Sequence, residues 1–255
     1  MTSPQELSPS NGRHAHPEYY LVGGDLYFLF DITILRVHSY FFRRDSEKFA
    51  ELLEAPIKTG EFKVGTKENP LELKDVTLDE FESFLWVFYN RKYSDYSEGT
   101  AENYVAILKI SEEYGFPNVK AFAIDALEAR SDIMLSQRIA LYRHYRVGKK
   151  YILPLFLQAI MREEVDWISD EEIEEVGPQA FNYLLRARER LLRITKGGTS
   201  DWTEKNAKKA LSSTPGKDTL FNTSEFIPSP IEDTEHKTPP YPRVLGLFAP
   251  PGPSN

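Results

Sequence analysis

Two short apolar runs near the start of the chain predict a β-hairpin. The first run is Leu26 to Phe30, and the second begins at Ile34 after a break that opens with Asp31. Two β-rich runs this close together are typical of antiparallel strands joined by a tight turn. Ile32 falls in that turn, and a β-branched residue tolerates positive φ poorly. The pattern therefore favours a turn that is longer than two residues or differently registered.

After the hairpin the apolar positions take the period of an α-helix. Val37, Phe41 and Phe42 share one face of the predicted first helix. Ser46 is a good N-cap for a second short helix, whose apolar face begins at Phe49. We therefore expect two short helices directly after the hairpin.

Stronger helix signals follow a short alternating strand at Leu71 to Leu73. Thr77 and Glu80 form a capping box, Gly115 ends the next helix, and Pro117 suits the first turn of another. Apolar side chains recur at helical spacing after each of these signals. Five of them are predicted to be buried: Phe49, Phe81, Leu85, Leu108 and Phe122.

Helical periodicity continues to about Lys196, with a further capping box at Ser169 and Glu172. These patterns divide the chain into a first domain at 17–130 and a helical extension at 131–196, which either enlarges the core or adds to a partner surface. The end segments, 1–16 and 197–255, are polar, aperiodic or rich in proline, and we expect both to be disordered.

Three stretches resemble the BTB/POZ domain, in the form found in a large group of fungal proteins. The first is LRVHSYFFRRDSEKF at 35–49, the second is NPLELKDVTLDEFESFLWVFYNRKYSD at 69–95, and the third is ENYVAILKISEEYGFPNVKAFAIDALEAR at 102–130. The resemblance implies an α+β fold in which a small β-sheet carries packed helices. It also implies a non-catalytic function in protein–protein interaction.

The resemblance further implies which residues would meet a partner. BTB-like domains often form homodimers through the first helices and the strand before them, which here gives the candidate interface Tyr19, Tyr20, His38, Tyr40, Phe41 and Phe42. An alternative function is that of a substrate adaptor bound to a cullin scaffold in a ubiquitin ligase. Some adaptors present a hydrophobic-x-Glu pattern to the cullin, and Tyr96 and Glu98 have that spacing.

The composition of the chain argues against several kinds of binding and catalytic chemistry. The 255-residue chain has a formal net charge of -8, which argues against a general nucleic-acid binder. It has no cysteine, so disulfides, thiolate metal sites and thiol nucleophiles are excluded. His14 and His16 have no further histidine or cysteine nearby, and no phosphate-binding motif occurs, so no metal and no cofactor is expected.

An enzyme is the competing class of function, and His38 beside Ser39 is its only candidate pair. No third residue that would orient the imidazole is evident from the sequence, so we favour a structural His38. The chain shows no secretory signal and no apolar run long enough to span a membrane. We therefore expect an intracellular protein of the cytoplasm or nucleus.

Overall fold

A three-stranded sheet begins the fold in the computed structural model, which describes residues 12–56, 59–92, 95–162 and 168–216. The strands are β1 (His14–Tyr20), β2 (Leu26–Phe30) and β3 (Thr33–Val37), in the order β1-β3-β2. The antiparallel pair of β2 and β3 is the predicted hairpin, whereas β1 runs parallel to β3. The expected disorder of 1–16 is therefore wrong from His14 onward, and residues 1–11 lie outside the described ranges.

The hairpin turn has only two residues, because Phe30 pairs with Thr33. Asp31 adopts the positive φ, at 51°, and Ile32 is not among the residues with positive φ. Asp tolerates this conformation better than a β-branched side chain does. The expectation of a longer turn was wrong because the strain falls on Asp31.

Ten α-helices follow in the described ranges. The first five are α1 (Ser39–Asp45), α2 (Glu47–Glu54), α3 (Leu78–Tyr89), α4 (Ala101–Tyr114) and α5 (Pro117–Glu128). The others are α6 (Leu135–His144), α7 (Lys149–Ile160), α8 (Asp170–Val176), α9 (Pro178–Ile194) and α10 (Glu204–Ser213). None of them is both long enough and apolar enough to cross a lipid bilayer.

The main core lies between the sheet and helices α1 to α5. It is built around aromatic rings, with Phe28 and Phe81 centroids 4.6 Å apart and Phe84 and Phe116 centroids 4.9 Å apart. Four of the predicted core residues are buried: Phe49, Phe81, Leu85 and Leu108. Phe122 is only half-buried, and its ring packs against Tyr96.

Two local predictions around this core need correction. Val37 is fully buried in β3 and not in α1, because the helix begins one residue after His38. Leu71 to Leu73 does not form a strand of its own, although Leu71 makes a single parallel bridge to Phe28. Backbone hydrogen bonds from that bridge cover the outer edge of β2, which protects it from pairing with other chains.

The helical extension shares this hydrophobic core. Tyr142 of α6 is fully buried, and its hydroxyl donates to Glu128 of α5 over 2.6 Å. The predicted capping box of Ser169 and Glu172 starts α8. The expectation that disorder begins at 197 was wrong, because α10 buries Ala207, Ala210 and Leu211. Residues 217–255, including the rest of the predicted tail, lie outside the described ranges.

Candidate protein-binding surface

Helix α1 turns one aromatic side chain inward and another outward. Phe42 is completely buried, whereas Tyr40 is 62% exposed. Phe41 lies between them, half-buried and stacked on Phe88 with a centroid distance of 5.4 Å. The consecutive aromatics therefore belong to different environments, because successive side chains on a helix point about 100° apart. Tyr40 faces solvent, Phe41 lies at the edge of the core, and Phe42, contrary to the prediction, is part of the core.

The guanidinium group of Arg44 packs against the rings of Tyr40 and Phe41. The Arg44 guanidinium carbon lies 5.4 Å from the Tyr40 ring centre and 5.3 Å from that of Phe41. Asp45 accepts two hydrogen bonds from the same guanidinium, at 2.7 and 2.6 Å. This bidentate contact to Asp45 holds the pKa of Arg44 above its usual value. We call Tyr40, Phe41 and Arg44 the α1 face.

The start of α1 is held from two sides. Asp25 accepts from the backbone N–H of Ser39 at 2.7 Å and from its hydroxyl at 2.6 Å, so it supplies the acceptor that the N-cap residue His38 does not provide. Partial burial acts to raise the pKa of Asp25, but these hydrogen bonds outweigh it and leave that pKa below its ordinary value. On the other side, the Tyr89 hydroxyl accepts from the backbone N–H of His38 at 3.0 Å.

His38 has a structural role at this corner. The same Tyr89 hydroxyl lies within hydrogen-bond distance of Nδ1 of the His38 ring, 3.2 Å away, so one side chain holds both the backbone and the ring of His38. Burial raises the pKa of Tyr89, so its hydroxyl keeps its proton at neutral pH. Among the described residues, no hydrogen bond joins the His38 ring to Ser39, and His38 is half-buried at the start of α1.

Tyr19 does not belong to the surface, contrary to the prediction. It is 6% exposed, and its ring packs against His16 and Tyr89 at centroid distances of 5.3 and 6.1 Å. Burial raises its pKa to about 12. The neighbouring Tyr20 is half-buried on the opposite side of the strand, where its ring meets Tyr27 at 6.4 Å.

His16 has a role that the sequence did not indicate. It is only 6% exposed, and its Nδ1 accepts from the backbone N–H groups of Tyr19 and Glu18, at 2.9 and 3.2 Å. Nδ1 is thus an acceptor, so Nε2 carries the proton and donates to Glu82 of α3 over 2.6 Å. A histidine in a polar segment gives no signal of this burial in the sequence alone.

Tyr96 and Glu98 are not displayed together. The Tyr96 ring packs on Trp86 and Phe122 at 4.9 and 4.7 Å, and its hydroxyl donates to the Val87 carbonyl. Glu98 is exposed and pairs with Lys92. Tyr96, the hydrophobic residue of the hydrophobic-x-Glu pattern, is therefore already packed against other residues of the same chain.

Two cavities between described residues lie away from His38. One of about 630 Å³ lies between α6 and α8, where it is lined by His144 and Glu175. Another of about 460 Å³ lies between α4 and α6, with Glu102 and Asp132 at its margin. Within the described ranges, no group of three or more histidine, aspartate or glutamate side chains is placed to hold a metal ion.

Comparison with known proteins places the chain in no established group. No family model matches it, and neither a curated protein nor a solved structure is significantly similar to it. The function must therefore be argued from the chain's own residues.

Proposed function

We propose that this chain is a non-catalytic protein–protein interaction module of the BTB/POZ type, which forms homodimers through the α1 face. The observation that carries the proposal is Tyr40, a large aromatic side chain that is 62% exposed on a helix whose inner side is anchored in the core. Exposed tyrosine and arginine side chains are enriched where protein interfaces have their strongest contacts.

The order of the elements supports the BTB-like assignment. A hairpin is followed by two short helices, by the bridge residue Leu71, by a capped helix, and by a helical hairpin made of α4 and α5. This is the order that the resemblance implied for the stretches at 35–49, 69–95 and 102–130. A small sheet with helices packed on it is also the architecture expected of that family.

The rigidity of the α1 face supports a role in binding. Asp25 and Tyr89 fix the start of the helix, and Asp45 fixes the Arg44 guanidinium against the two rings. A side chain that is already held in place loses less conformational entropy when a partner binds. Val22, which is 82% exposed, lies in the turn next to Gly23, and Gly23 lies close to the ring of His38.

Light scattering tests the proposal. At tens of micromolar the chain is expected to show twice its 29.4 kDa mass. Tyr40→Ser should shift the mass toward that of the monomer, because it removes the exposed ring and leaves the core intact. Phe62→Ser is the matched control, since Phe62 is 64% exposed in a loop outside the α1 face. A monomeric parent chain, or an equal effect of both substitutions, would contradict the proposal.

A cullin-bound adaptor has less support. Its sequence pattern needs an accessible hydrophobic residue at position 96, whereas Tyr96 is packed against Trp86 and Phe122. No observation in the described ranges favours this second function over the first.

A further inference from the structure

Three arginines on one side of α9 differ from the other arginines of the described ranges. Arg186, Arg190 and Arg193 have no hydrogen-bond or ion-pair partner among the described residues. Every other described arginine lies in an ion pair or donates to a backbone carbonyl. Positions i, i+4 and i+7 fall on one face of a helix, so the three unpaired guanidinium groups lie together.

Two leucines form an apolar stripe beside these arginines. Leu185 and Leu192 are 36% and 37% exposed, although the other side of the helix is buried through Leu184 and Leu191. A spacing of seven residues returns to the same face with a drift of about 20°, so the two leucines are aligned along the helix. Glu189 is the single carboxylate of this exposed side.

The region that contains α9 and α10 is basic, although the whole chain is acidic. Residues 178–216 contain eight lysines and arginines but only three aspartates and glutamates, whereas the whole chain carries a net charge of -8. A helix of a strongly acidic protein would be expected to pair its arginines with the surplus carboxylates. The face of α9 instead keeps them unpaired beside an apolar stripe.

We infer that this face, made of Leu185, Leu192, Arg186, Arg190 and Arg193, is the docking site for an acidic amphipathic helix of a partner protein. Leucines spaced by a heptad fit the apolar seam of a second helix, and flanking arginines fit glutamates at the positions beside that seam. Charge complementarity identifies the partner as acidic, and the apolar stripe identifies it as a helix rather than a bare polyanion. The inference does not depend on the α1 face, which lies on a different helix.

Binding of a synthetic peptide tests the inference on the full chain. The probe is a labelled three-heptad helix with leucine at the seam and glutamate beside it, and a peptide with lysine in place of glutamate is its control. Fluorescence anisotropy should show binding of the glutamate peptide only, and added salt should weaken it. The triple variant R186E/R190E/R193E and the double variant L185S/L192S should each weaken binding about tenfold or more.

A scattered variant with the same change in net charge provides the matched control. R91E/R146E/K205E alters exposed side chains outside α9, and its affinity for the glutamate peptide should stay close to that of the parent chain. Circular dichroism melts verify that all variants are folded.

Three results would overturn the inference. One is failure of the parent chain to bind the glutamate peptide, including the case in which it binds anionic vesicles or single-stranded DNA instead. Another is equal weakening by the clustered and the scattered charge reversals. A third is a change of mass in light scattering for L185S/L192S, which would identify a second copy of this chain as the occupant. Each differs from the result that would contradict the α1 proposal, because that one depends on Tyr40.

Discussion

Single side chains attach the first strand to the rest of the protein, and His16 is the clearest case. Its imidazole serves two backbone donors of its own strand through Nδ1 and a carboxylate of α3 through Nε2. Loss of the ring would leave buried N–H groups without an acceptor, which costs more than the removed hydrogen bond alone.

His16→Ala is therefore expected to lower the free energy of unfolding by about 1–3 kcal/mol. His16→Asn should recover part of the loss, because its side-chain oxygen can take the place of Nδ1 as acceptor for Tyr19. His16→Gln can reach Glu82 but not the strand, so it should recover less. Urea unfolding of the three variants measures this order, and an alanine variant as stable as the parent would show that the strand is held by other contacts.

The carboxylate of Asp25 makes a pH-dependent contribution to the free energy of unfolding. Its pKa in the folded protein lies below its ordinary value because Ser39 donates two hydrogen bonds to it. A lowered pKa means that the contribution is complete above the unfolded-state pKa of about 3.9 and is lost as the pH falls through the folded-state value.

At neutral pH, Asp25→Ala should cost about 0.5–2 kcal/mol, as loss of a helix cap usually does. The difference in stability between parent and variant should shrink as the pH falls below about 4, where the unfolded chain begins to take up the proton, and should be lost once the pH passes below the lowered pKa of Asp25 in the folded protein. Urea melts at several pH values measure it. A difference that persists unchanged in strong acid would mean that the carboxylate charge is not what stabilises α1.

At the scale of elements, locally encoded features could be predicted and non-local ones could not. The capping boxes at Thr77 and Ser169 and the N-cap at Ser46 lie where they were expected, since each depends on residues three positions apart. Strand β1 was missed because its pairing with β3 joins distant segments and its own sequence is polar. Helix α10 was missed because its buried side is made of alanines and one leucine, a weak hydrophobic signal.

The same limit applies to the candidate surface. The run Tyr40 to Phe42 has more aromatic area than one core face needs. The orientation of each side chain around the helix axis, which the sequence did not fix, places Phe42 in the core and Tyr40 in solvent. Likewise, Tyr19 and Tyr20 are alike in sequence and take opposite sides of a strand. The sequence therefore pointed to the aromatic run, whereas the three-dimensional structure was needed to show which of its rings are exposed.

Helix α10 leads to a prediction about truncation. It buries Ala207, Ala210 and Leu211 against its neighbours, and the Tyr183 hydroxyl donates to the Leu211 carbonyl over 2.8 Å. Ending the chain after Lys196 should therefore lower the melting temperature by several degrees, since about 1 kcal/mol corresponds to ~2–4 °C in a domain of this size. Ending it after Gly216 keeps α10 and serves as the control. Equal melting temperatures for the two truncations would show that α10 contributes little.

At the scale of the whole molecule, one continuous core supports two separate exposed surfaces. The α1 face belongs to the first domain, and the basic face of α9 belongs to the helical extension. Hydrogen bonds such as the one between Tyr142 and Glu128 connect the two parts. The extension thus adds to the core, and the proposed docking site on α9 would give it a binding role as well.

The central claim is that two copies of the chain meet at the α1 face. The chain has no cysteine, so a single spin label at Val22→Cys reports on one place alone. Val22 is 82% exposed in the turn next to Gly23, which lies close to the ring of His38 just before α1. Electron–electron double resonance should detect a short distance between the labels of two chains. A label at Lys205→Cys on α10 should give a longer distance or none. Absence of dipolar coupling at position 22 at tens of micromolar, or a shorter distance at position 205, would contradict the claim.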